Sequence, residues 1–95
     1  MLQYKAGYKF VDGGVHAQVL DFPAAITCGS ELAEARQLLA GALIDVTETC
    51  VEEGQILPTP NELAYDPEMD IEEPIYLHLQ ASTNFTEAPS GVIAR

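Results

Sequence analysis

Two runs of apolar–polar alternation, QYKAGYKFV at 3–11 and VHAQVL at 15–20, flank the tripeptide Asp12-Gly13-Gly14. No other segment constrains the fold as strongly. A period of two puts Tyr4, Ala6, Tyr8 and Phe10 on one face of a strand, opposite Gln3, Lys5 and Lys9. Val15, Ala17 and Val19 repeat the pattern against His16, Gln18 and Leu20. Glycine reaches positive φ without steric penalty, so the tripeptide supplies a turn and a β-hairpin follows.

The next strong signal has helical period. Leu32, Ala35, Leu39, Leu43, Val46 and Cys50 fall on one stripe of a helix spanning 31–53, with Ala42 beside them. Ser30 is placed to cap its N-terminus, and Glu31 and Glu34 suit the positive end of the helix dipole. Ala33 stands where a capping box needs Glu or Gln. Gly54 follows as a left-handed C-terminal cap. Leu38 lies to one side of the stripe, and Ala40, Ile44 and Val51 to the other. They widen the apolar arc to about 240°, more than one sheet face requires. Either the C-terminal segment covers this flank, or it forms a subunit or partner contact.

Between hairpin and helix, Asp21-Phe22-Pro23 breaks the second strand, and residues 25–28 are β-prone enough for a short third one. After the helix, Pro58 and Pro60 hold an extended connector. An acidic loop at 62–73 leads to a last strand at 74–80, with Ile75, Leu77 and Leu79 on one face. Residues 1–80 thus form one domain, and 81–95 read as a tail of small and polar residues suited to mobility. The fold class is α+β, a small antiparallel-rich sheet in the order β-β-β-α-β with one long helix on one face. A chain of 95 residues buries roughly 60–65% of its unfolded surface, so oligomerisation would add stability.

Fifteen Asp and Glu against four Lys and Arg give a formal charge of −11. That balance disfavours nucleic acid and anionic membranes, because binding a phosphate backbone requires cations that displace counterions. It favours solubility, or the capture of a basic protein by electrostatic steering. No apolar stretch approaches the roughly 20 residues of a membrane span, and the alternating N-terminus is not a signal-peptide core. Cys28 and Cys50 are far apart and sit among apolar neighbours, as buried thiols would in a reducing cytoplasm.

Taken in order, these motifs resemble the HicB family of antitoxins. The matching residues are the turn Asp21-Phe22-Pro23-Ala24-Ala25, the helix start from Gly29 to Ala35, and an exit with Glu52, Gly54, Pro58 and Pro60. The likeness covers roughly residues 4–80. It departs at Ala24 and Ala25, where the family has Gly and Cys, and at Ser30 and Glu31, where Asp and Thr are usual. The resemblance implies a partial RNase H fold and a partner, a small basic mRNA-cleaving toxin of the HicA type. It also implies a binding protein with no cofactor. The DNA-binding domain that many members carry has no counterpart, so direct DNA binding is not expected.

Three functions remain open. A HicB-like antitoxin would use Asp66, Glu68, Asp70, Glu72 and Glu73 as a landing surface, unless these merely form a solvated loop. A stand-alone homo-oligomer, dimer or tetramer, would use Leu38, Ala40, Ile44 and Val51. A metal-dependent nuclease would need carboxylates converging on two divalent ions. Asp45, Glu48 and Glu52 on one helix face instead read as solvated. Residues 66–73 lack the glycine and ligand spacing of a calcium loop. His16 and His78 face outward, as surface residues or, if their strands were adjacent, as a metal or pH-sensitive pair.

Overall fold

A computed structural model describes residues 1–78. Four strands and one helix follow in the order expected: β1 (Leu2–Val11), β2 (Gly14–Val19), β3 (Ile26–Gly29), α1 (Leu32–Glu52) and β4 (Ile71–Leu77). All strand pairs are antiparallel, and the sheet order is β3-β2-β1-β4. The hairpin thus forms the centre of the sheet, with β3 and β4 as its edges. Gly13 closes the turn at φ 84°. Leu79, Gln80 and the expected tail at 81–95 lie outside the described residues.

The core is built on one face. Tyr4, Ala6 and Tyr8 from β1 and Val15, Ala17 and Val19 from β2 are buried against Ala35, Leu39 and Leu43 of α1. Register carries this face across to β4, because Ala6 pairs with Glu73, Tyr4 with Ile75 and Leu2 with Leu77. Phe10 was expected in the same row, but it is 52% exposed. The β4 ladder ends at the Tyr8–Ile71 pair, leaving Phe10 past the end of the neighbouring strand.

Both ends of α1 show how the chain stops and starts a helix. Glu31 is the N-cap residue and makes no side-chain capping bond. Ser30 instead donates its N–H and hydroxyl to Glu34 Oε1, at 2.6 and 2.8 Å. The reach-back of a capping box is therefore made one residue later than Ala33. At the far end, Gly54 adopts φ 72°, Gln55 N–H bonds Cys50 O and Gly54 N–H bonds Val51 O. These two bonds are the Schellman pattern. The apolar stripe also contains a residue that hydrophobicity did not mark. Thr47 is buried, and its hydroxyl donates to Leu43 O at 2.7 Å.

Two further expectations change. Strand β4 begins at Ile71, so Glu72 and Glu73 belong to the sheet and not to the preceding loop. Cys28 is exposed. It pairs with His16, so its side chain lies on the sheet face away from α1, whereas Thr27 faces the helix.

Candidate partner-binding surface

The acidic segment 66–73 is tied to β1 through Glu68, Asp70 and Glu72. Asp70 N–H donates to Tyr8 O at 2.8 Å, and Asp70 Oδ2 accepts the Phe10 N–H at 2.8 Å. Glu68 contacts Lys9 Nζ at 3.2 Å. Asp66 Oδ1 accepts the N–H of Glu68, forming a local turn, and the Asp66 N–H reaches Glu72 Oε2 at 3.3 Å. Glu72 also lies 3.9 Å from Lys5 Nζ, which donates to the carbonyls of Glu62 and Ala64. Met69 covers Gly7 so closely that a Cβ at Gly7 would sit 2.7 Å from its Cγ. Absence of a side chain at Gly7 is therefore what lets the segment lie on the sheet.

Glu73 stands apart, because register places it on the helix face. There it meets Arg36 fork to fork, with Nε–Oε2 and Nη2–Oε1 both at 2.9 Å. The Arg36 guanidinium carbon lies 5.9 Å from the centre of the Tyr8 ring. Burial, and after it the Glu73 charge, push the Tyr8 hydroxyl up to about 12. Arg36 was not singled out by its sequence context, since its partner is 37 residues away.

Asp21 has a similar clamping role at the other end of β1. Its Oδ1 accepts the Lys5 N–H at 2.9 Å and its Oδ2 accepts the Asn61 N–H at 2.8 Å. Tyr4 donates its hydroxyl to Pro58 O at 2.7 Å, and Phe22 packs on the Tyr4 ring with centroids 5.5 Å apart. The Asp-Phe-Pro turn and the proline connector thus close on the same strand. A shallow cleft of about 320 Å³ opens here, lined by Gln3, Lys5, Asp21, Glu62 and Pro74 among others.

All three described cations, Lys5, Lys9 and Arg36, are thus in contact with glutamates at the β1–β4 side. The outer face of α1 carries Asp45, Glu48 and Glu52 with no cation in contact among the described residues. Leu38, Ile44 and Val51 are 44%, 49% and 50% exposed on the same helix, and Ala40 is exposed beside them. The apolar flank is therefore open to solvent along the described chain. No group of three or more His, Cys, Asp or Glu is arranged to hold a metal ion among the described residues. His16 and His78 do not approach: β1 separates their strands, and His16 pairs with Lys9 at the end of β1 far from His78. No described helix is long and apolar enough to cross a membrane.

Pro74 marks the outer edge of β4. Lys5, its partner, bonds Asp21 and Leu20 on the β2 side, so the imino nitrogen of Pro74 faces away from the sheet. A missing N–H at that position breaks the ladder that an added strand would need.

No protein-family model matches this chain, and no curated protein matches it. Among solved structures, it is similar to the crystal structure of the N-terminal domain of Burkholderia pseudomallei antitoxin HicB. The two share a TM-score of 0.70 and 21% identity, over 82% of this chain and 100% of that one.

Proposed function

Given the fold of the HicB N-terminal domain, we propose that this chain is a HicB-like antitoxin, or a binding protein derived from one. It masks a small basic mRNA-cleaving toxin of the HicA type by protein–protein contact and is not itself an enzyme. The observation that carries this reading is the fold likeness, which spans the whole of the HicB domain. The charge distribution supports it. With the described cations each paired to a glutamate of the same chain, the formal charge of −11 leaves an excess of carboxylates facing outward. Such a surface steers a basic protein inward and repels RNA, the toxin's own substrate. A cytoplasmic location suits a partner that acts on mRNA.

Co-expression with a small basic HicA-type protein tests the reading. A stoichiometric complex should co-purify, growth arrest by the toxin should be relieved, and association should slow as salt rises. Absence of both complex and relief refutes it. A second reading, a homo-oligomer (dimer or tetramer) without a toxin, is favoured by the exposure of Leu38, Ala40, Ile44 and Val51. Sedimentation of a strict monomer at micromolar concentration would remove it.

A further inference from the structure

Three independent features meet on the solvent face of α1. The first is electrostatic. The C-terminal half of the helix carries Asp45, Glu48 and Glu52, Glu53 follows as its C-cap residue, and the last turn has no basic residue. A helix C-terminus bears partial negative charge, so Glu52 and Glu53 oppose the dipole they sit on, and Asp45 and Glu48 extend the same acidic face. Nothing among the described residues relieves them.

The second is apolar. Ile44 and Val51 lie half-exposed beside those carboxylates. The third is Gly41, in the middle of a 21-residue helix. A Cβ there would meet nothing within 4 Å, and its φ is not in the left-handed range. Glycine weakens a helix interior relative to alanine, and no contact among the described residues requires it here. What a glycine on an exposed helix face permits is close approach by another backbone. At 100° per residue, Gly41, Asp45, Glu48 and Glu52 share an arc of about 60°, directly opposite the buried stripe, with Ile44 and Val51 adjoining it.

From this coincidence we infer that the outer face of α1, centred on Gly41 and Glu48, is the surface on which a basic protein docks. The partner presents an apolar ridge ringed by Lys or Arg. The ridge seats over Gly41 against Ile44 and Val51, while the cations pair with Asp45, Glu48 and Glu52 and neutralise the helix C-terminus. The 66–73 segment is secondary, since Glu68, Asp70 and Glu72 are already engaged with β1, Glu73 with Arg36, and Asp66 with the Glu68 N–H. The inference rests on the reading of the chain as a masker of a basic protein and assigns the surface it uses.

The test uses the full chain and two probes. A synthetic amphipathic leucine–lysine helical peptide, titrated while backbone amides are followed by NMR, should perturb residues 41–52. Gly41→Gln and Glu48→Lys should each weaken it by about tenfold or more. Both changes are on exposed positions and leave the core untouched. Perturbations confined to 62–73 or to the sheet, or the absence of saturable binding, would overturn the inference. The second probe is the HicA-type toxin. A toxin complex indifferent to both substitutions sinks this surface but leaves the proposed function standing. Peptide binding on α1 without any toxin complex does the reverse.

Discussion

Arg36 of α1 and Glu73 of β4 form two parallel 2.9 Å bonds across the gap between helix and sheet, above the ring of Tyr8. Bidentate geometry and ring stacking are properties of arginine that lysine does not share. Arg36→Lys is therefore expected to behave nearly as badly as Arg36→Ala. The pair is partly exposed, so each change should cost about 1 kcal/mol in urea unfolding. Glu73→Gln should cost a similar amount, and the double variant less than the sum. Strict additivity would show that the contact contributes nothing.

Tyr8 sets an alkaline limit. Its folded pKa, about 12, lies above the ordinary value of 10.0. Between these values the unfolded chain releases a proton that the folded chain retains, so the contribution is complete below pH 10 and falls as pH rises toward 12. The slope is at most about 1.4 kcal/mol per pH unit. Tyr8→Phe should reduce the slope across that window, with Tyr4, also raised by burial, carrying part of what remains, read by denaturant unfolding at fixed pH steps. An unchanged slope would remove Tyr8 as its source.

Asp21→Ala strands two backbone donors, Lys5 N–H and Asn61 N–H. A loss of about 2–3 kcal/mol is expected, because hydrogen bonds to a charged acceptor are among the stronger ones. Asp12→Ala, in the exposed hairpin turn, should cost much less. Hydrogen exchange adds a spatial readout: protection should fall at Lys5 and Asn61 together.

Two glycines should respond in opposite directions to alanine. Gly41→Ala meets no atom of the described residues within 4 Å and should raise stability by about 0.5–1 kcal/mol. Gly7→Ala forces Met69 off the sheet and should lower it. Equal effects from the two would contradict the described packing.

Glu52→Lys should stabilise the free chain by about 0.3–1 kcal/mol by reversing an unfavourable charge at the end of α1. The gain should shrink in high salt. Thermal unfolding at low and high ionic strength checks it, and a salt-independent gain would point to another cause.

The hairpin and α1 were legible because each repeats its signal. Alternation from Tyr4 to Val19 and the spacing of Leu39 and Leu43 report a local geometry that needs no distant partner. Strand β4 was legible only from Pro74 onward, since Glu72 and Glu73 read as loop residues until their partners are known. One of those partners, Arg36, lies on a different element. Cys28 looked apolar among Ile26 and Thr27, yet which face it occupies is decided by register with His16. The acidic segment was visible as charge, whereas its attachment to Lys5, Lys9 and the backbone of β1 is a product of long-range pairing. Gly41 was visible throughout, but only its open surroundings made its presence in a helix informative.

β1 lies inside the sheet, yet one of its two partners, β4, is the last element described. On a ribosome, β1 would emerge ahead of the other described elements and keep one bare edge until residues 71–77 had cleared the exit tunnel. Until then the nascent chain would present an unpaired strand bearing Tyr4 and Tyr8, a surface prone to association with neighbouring chains. Translation speed and chaperone supply then become determinants of yield for this domain, independent of how stable it is once complete.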